Sequence, residues 1–217
     1  MEPRHRAIAE IALRAAGPFG FALAGGYAVQ AYGIGDRPSG DVDLFTDWLR
    51  RADFPAAVDA VIAAFAEHRY AVRVVSRGES FARLLVAAPG ATGEGAEDKV
   101  ELSADWRAHP PVVLDVGPVL HVDDAVANKM CALYGRALPR DFLDIDAAVC
   151  SGRFTRERLL DLAANADSGF DPTMFAYALG ALAQITDAAF AAYGATQEQV
   201  RDLRQRFSQW REELLKQ

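Results

Sequence analysis

Gly25-Gly26, followed downstream by Arg37-Pro38-Ser39-Gly40-Asp41-Val42-Asp43-Leu44-Phe45, is the stretch on which the reading of this chain turns. Residues Asp41 to Phe45 alternate polar and apolar, the period of a half-buried strand, so both aspartates project from one face. Carboxylates placed that way repel each other unless a cation lies between them. Oxygen-only ligands suit Mg²⁺, which keeps waters and takes further ligands from a substrate's phosphates. Upstream, the apolar run Phe19 to Ala24 reads as a buried strand broken by Gly25-Gly26, with Tyr27 to Tyr32 forming a helix that ends at Gly33. A strand that turns through two glycines into a helix offers backbone N–H groups at the positive end of a helix dipole, which is a seat for a triphosphate. Phosphates on one side and metal on the other suit in-line nucleotidyl transfer by two metal ions.

Outward from this centre, Ala7, Ile11, Leu13 and Ala15 fit an opening amphipathic helix that stops near Gly17-Pro18. Asp53 is placed to cap a helix from Pro55 to about His68, with Ala57, Val58, Val61, Ile62 and Phe65 as its buried stripe. Tyr70 to Ser76 and Phe81 to Ala87 read as a hairpin, the Gly-rich acidic segment Pro89 to Glu97 as a mobile loop, and Lys99-Val100-Glu101-Leu102 as another alternating strand. Beyond Pro110-Pro111 the pattern becomes helical: Asp123 to Arg136, Arg140 to Cys150, Thr155 to Asn165, Pro172 to Ile185 and Ala195 to Lys216. The expected fold class is α/β (α+β). An N-terminal domain over 1–120 has a small mixed sheet flanked by helices, and an all-helical domain over 121–217 completes the active site.

With 217 residues the chain can bury a core without staples, and its formal charge of -7 excludes a protein whose whole surface grips nucleic acid. Cys131 and Cys150 sit inside apolar helical patterns and read as buried thiols of a reducing compartment. The N-terminal Arg4, Arg6 and Ala-rich run is interrupted by Glu10 and Arg14, against an export signal, and no apolar stretch reaches the roughly 20 residues of a membrane span. A cytoplasmic protein without membrane contact is expected. His5, His68, His109 and His121 have no ligand spacing and are assigned no metal.

Two-metal chemistry calls for a third carboxylate from a neighbouring strand, which shares a metal and helps deprotonate the attacking hydroxyl. Glu101 is the choice, because Val100 and Leu102 point into the core; Asp98 and Asp105 are the alternatives. Gly25-Gly26 and the run ending in Ser39-Gly40-Asp41-Val42-Asp43 resemble the GG/GS…[ST]xDxD motif of the polymerase-β-like nucleotidyltransferase superfamily. Asn128-Lys129, then Arg136 and Pro139-Arg140-Asp141-Phe142-Leu143-Asp144, more narrowly resemble the AbiEii/AbiGii toxin family, including the mycobacterial MenT toxins.

The resemblance covers most of residues 20 to 150. It implies transfer from an NTP to RNA, in the MenT case of pyrimidines (CTP or UTP) onto the 3′ end of tRNA, which blocks aminoacylation. By position, Ser39 and Asp41 match the motif's hydroxyl and first metal ligand, Lys129 the helical lysine that meets the triphosphate, and Asp141 the acid of the RDxxD motif. Gly26 replaces the usual serine, so one side-chain phosphate contact is lost. A cognate antitoxin is implied, acting in the MenT case as a kinase, with Ser39 as the residue whose phosphorylation would put roughly two negative charges where the phosphates and metal must go. The residues themselves add that a helical lysine can neutralise the pyrophosphate leaving group. Asp141 and Asp144 share a helical face, where either can bind the ribose or base, or orient Lys129 or Arg140.

A lone DxD is common on surface strands, and a lone helical lysine is ordinarily solvated; only their conjunction carries the reading. The arginines at 153, 156, 158, 201, 204, 206 and 211 alternate with acids and read as an ion-paired face rather than an RNA path, and Phe175, Phe190, Phe207 and Trp210 as helix-packing core. Two rival functions use the same residues: an aminoglycoside-type nucleotidyltransferase, favoured by the acidic charge, and an inactive nucleotide-binding regulatory module.

Overall fold

The computed structural model describes residues 1–93 and 95–216, so Glu94 of the expected loop lies outside the described residues. The chain divides into two compact units, Met1–Ala31 with Ser39–His121, and Tyr32–Pro38 with Val122–Gln217. The seven residues before Ser39 thus belong with the helical unit, an excursion that a single break near residue 120 does not describe.

In the first unit the elements run α1 (Pro3–Ala16), β1 (Ala22–Leu23), α2 (Gly25–Ala31), β2 (Asp41–Asp47), α3 (Phe54–Glu67), β3 (Ala71–Arg77), β4 (Phe81–Ala87), β5 (Glu97–Asp105), β6 (Val112–Leu114) and β7 (Gly117–Val119). The strands form one seven-stranded mixed sheet in the order β3-β4-β5-β2-β1-β7-β6. β2 and β5 are parallel neighbours over seven residue pairs, from Asp41 opposite Lys99 to Asp47 opposite Asp105. Even-numbered positions face the core: Val42, Leu44, Ala82, Leu84, Val86, Val100 and Leu102 are all 0% exposed. Against this face pack Ile8, Ala12 and Leu13 of α1 and Val58, Val61 and Phe65 of α3. Each such side chain contributes about 1.5–3 kcal/mol when fully buried, which locks the strand register to the pattern.

Two expectations need correction in this unit. Asp53 precedes α3 but does not cap it: its backbone is already αR, because a 3-10 helix, Trp48–Asp53, runs straight into α3 and leaves no extended cap residue. The short hairpin of β6 and β7 was not read from the sequence, since strands of three residues among prolines carry no countable alternation.

The second unit contains α4 (Val122–Arg136), α5 (Pro139–Cys150), α6 (Arg156–Ala166), α7 (Pro172–Leu179), α8 (Asp187–Ala191) and α9 (Gln197–Leu214). Four helix starts are set by side-chain oxygens that accept a first-turn N–H: Thr155, Asp171, Thr186 and Thr196. The helix expected from Pro172 to Ile185 stops at Leu179. Arg211 Nε donates to the Ala176 carbonyl at 3.2 Å, and the Gly180 N–H turns to Tyr177, opening the 3-10 helix Gly180–Gln184. The short α8 was missed.

Phe175, Phe190, Phe207 and Trp210 are buried, with Phe142 edge-on to Phe207 at 5.2 Å and Phe175 edge-on to Trp210 at 5.3 Å. The arginine-rich face is ion-paired, through Arg156–Glu213, Arg158–Asp123, Arg204–Asp187 and Arg206–Asp146. Cys150 is exposed and Cys131 half-buried, against the expectation of two buried thiols; Cys150 is the last residue of α5, where the helix leaves the core. Among the described residues no helix is long and apolar enough to cross a membrane.

Candidate active site

The acids singled out from the sequence sit at odd-numbered positions of the central strands. The parallel register sets Asp41 opposite Lys99 and Asp43 opposite Glu101, and antiparallel β4 sets Arg83 opposite Glu101. One carboxylate oxygen from each of Asp41, Asp43 and Glu101 lies within 4.8 Å of the others. This oxygen-only donor set from adjacent strands fits a divalent cation. Glu101 therefore stands beside the two aspartates. Of its alternatives, Asp98 lies on the opposite, core-facing side, held by His5 Nε2 at 3.0 Å and Arg4 at 3.3 Å. Asp105 pairs with Asp47 at the far end of the strands.

Gly25 adopts φ +61, and a Cβ built on it would overlap the Asp43 carboxylate. Only glycine allows the start of α2 to lie this close to the acid. The Ala24 N–H donates to the Asp43 carbonyl at 2.8 Å, fixing the approach, and Gly26 is buried in the first turn. Ser39 Oγ donates to Asp41 Oδ1 at 3.3 Å, and the Ser39 carbonyl accepts from the Tyr27 hydroxyl at 3.2 Å. Ser39 is buried, with 5% of its surface exposed.

Two cations at this cluster were not foreseen. Lys99 Nζ lies 2.7 Å from Asp41 Oδ2 and 3.2 Å from Glu101 Oε1, and Arg83 Nε donates to Glu101 Oε1 at 2.8 Å. Burial by itself would lower the Lys99 pKa, but the hydrogen bonds and charges of Asp41 and Glu101 outweigh it and raise the value, so the ammonium stays protonated. The available signal was parity, since Lys99 and Glu101 share a strand face just as Asp41 and Asp43 do.

The model of the AbiEii nucleotidyltransferase toxin family, of type IV toxin–antitoxin systems, matches residues 9–215. The chain belongs to this family. It extends past the stretch that carried the resemblance and takes in the last third, where no motif was recognised. Among solved structures, the AbiEii-family chain is similar to a Helicobacter pylori protein described as a nucleotidyltransferase (18% identity, TM-score 0.60, covering 100% of this chain and 98% of that one). It is likewise similar to JHP933 of Helicobacter pylori (17%, 0.53, 98% and 93%) and to the nucleotidyltransferase toxin MenT4 of Mycobacterium tuberculosis (16%, 0.58, 96% and 86%). At such identity these likenesses establish the shared fold. No curated protein sequence matches this AbiEii-family chain.

In the helical unit, Lys129 is 8% exposed, and its Nζ lies 2.9 Å from Asp144 Oδ2. Asp144 also receives a bidentate pair from Arg37, Nε to Oδ1 at 2.6 Å and the other guanidinium nitrogen to Oδ2 at 2.8 Å. Desolvation alone would raise the Asp144 pKa; Lys129 and Arg37 outweigh it and hold the carboxyl below its usual range. Of the roles open to Asp144, orienting Lys129 is the one this contact supports, and Arg37, quoted in the motif without a role, ties segment 32–38 to the helical unit.

Asp141 is 0% exposed and its oxygens are engaged: Arg136 donates at 2.9 and 2.8 Å, and the Leu138 N–H at 3.1 Å. Ala137, in the left-handed region at φ 47, turns the chain so that Arg136 faces this acid. Asp141 is thereby placed as the lock of the α4–α5 junction. Arg140 Nε is buried without a hydrogen-bond partner among the described residues, while Asp144 is paired with Lys129 and Arg37.

Substituting Gly25→Ala should lower nucleotidyl transfer by about a hundredfold through displacement of Asp43, while Gly17→Ala, whose Cβ meets nothing within 4 Å, stays near wild type; equal activities in a transfer assay would contradict the close approach. Asp141→Asn should cost about 2 kcal/mol in denaturant unfolding of the helical unit. An unchanged unfolding curve combined with lost transfer would assign Asp141 to direct substrate contact, the role expected from its motif.

Proposed function

We propose that this AbiEii-family chain transfers a nucleotide from a pyrimidine NTP, CTP or UTP, to the 3′-terminal hydroxyl of tRNA, as the toxin of a toxin–antitoxin pair in the cytoplasm. The observation that carries the reading is the convergence of Asp41, Asp43 and Glu101 on one strand face beside a glycine that admits no side chain. In the reaction the acceptor oxygen attacks the α-phosphorus, the α–β anhydride bond breaks, and pyrophosphate leaves. Asp41, Asp43 and Glu101 would hold Mg²⁺, which supplies charge stabilisation for the phosphates. Glu101 helps take the proton from the acceptor hydroxyl. Backbone N–H groups of Gly25 and Gly26, with the Ser39 hydroxyl, bind the phosphates. Lys129, oriented by Asp144, neutralises charge on the pyrophosphate. Phosphorylation of Ser39 by an antitoxin kinase would set like charge against Asp41 and stop transfer.

The net charge of -7 favours a second reading, in which a cationic aminoglycoside is the acceptor. Incubation with each α-labelled NTP, Mg²⁺ and either tRNA or an aminoglycoside mixture separates the two. Label is expected in tRNA from CTP or UTP, falling at least a hundredfold in Asp41→Asn and in Ser39→Asp. Label confined to the drug would overturn the RNA assignment, and no label in either acceptor would favour an inactive nucleotide-binding module.

A further inference from the structure

Lys99 occupies a position that the proposed metal-site reading, on which this inference rests, does not use. It projects from β5 on the face of the acids, opposite Asp41, and its ammonium bridges Asp41 Oδ2 at 2.7 Å and Glu101 Oε1 at 3.2 Å. Both belong to carboxylates that a shared cation between the two strands would need. Arg83 adds a second cation on Glu101 Oε1 from β4. Two cations on Asp41 and Glu101 offset much of the charge of the three acids, so the attraction left for a divalent ion is far weaker than a bare acid triad would exert. Arg83 approaches Glu101 from the neighbouring strand, whereas Lys99 reaches in between the carboxylates themselves.

We propose that Lys99 is a tethered competitor for the metal. Its ammonium holds Asp41 and Glu101 together and must swing out for a divalent cation to bind. The lysine is 32% exposed along its side chain, so its flexible stem has solvent to move into. In consequence the metal alone binds weakly, and the additional oxygen ligands of an NTP's phosphates are what tip the exchange. The site therefore loads metal together with nucleotide.

The test is calorimetric titration of MnCl₂ into the full-length protein without nucleotide, comparing wild type with Lys99→Met, Lys99→Gln, Lys99→Arg and Asp41→Asn. Removing the charge should tighten Mn²⁺ binding about tenfold or more in both Lys99→Met and Lys99→Gln. Lys99→Arg should bind as weakly as wild type, and Asp41→Asn should bind least. A merely structural lysine would leave the affinity unchanged or lower it. If wild type binds Mn²⁺, Asp41→Asn does not, and the neutral variants bind no tighter than wild type, the competitor role is overturned while the metal site stands. If no variant binds Mn²⁺ with or without NTP, both fall together.

Discussion

Crowding of like charge on one strand face is the constraint from which the rest of the sheet unit follows. Carboxylate oxygens of Asp41, Asp43 and Glu101 gather within 4.8 Å. At an effective dielectric near 20, two such charges repel by about 3.5 kcal/mol or more. A folded chain tolerates that only if cations are built in or recruited, and the built-in ones are visible. Lys99 and Arg83 reach the acids directly, and the donor set is that of a divalent ion. The fold pays for this arrangement on its other side, where the even-numbered residues of the same strands are buried under α1 and α3. A slip of one residue between β2 and β5 would turn the acids into the core, so hydrophobic patterning and the placement of the acids are one specification.

The helical unit solves a related problem by burial. Asp144 and Asp141 are both withdrawn from solvent, and each is given cations: Lys129 and Arg37 for the first, Arg136 for the second. A buried carboxylate missing one of these partners would leave an uncompensated charge. The RDxxD run thus reads structurally as two anchoring points, one joining α4 to α5 and one holding Lys129 and the segment before β2.

Much of this was legible in the sequence. Alternation located β2 and β5 and assigned Asp41, Asp43 and Glu101 to their outward face, because a period of two is decisive when one face is buried. The mixed α/β fold followed from strand patterns giving way to helical ones, and the AbiEii-type family from Asn128-Lys129, Arg136 and Pro139 to Asp144. What escaped depended on contacts between distant residues. Lys99 was overlooked because a lysine on a strand carries no signal until β2 is known to lie beside β5. Arg37 needs Asp144, more than a hundred residues away, and the end of α7 needs Arg211 from α9. The role expected of Asp53 failed for a local reason, the 3-10 turn that runs into α3.

A crystal of the full chain with Mn²⁺ and a non-hydrolysable NTP, its ions located by anomalous scattering, tests the central claim most directly. The account predicts an anomalous peak among the side chains of Asp41, Asp43 and Glu101, with the nucleotide's phosphates against the backbone of Gly25 and Gly26. Mn²⁺ and phosphates bound at another face, with those three carboxylates contacting neither, would contradict it.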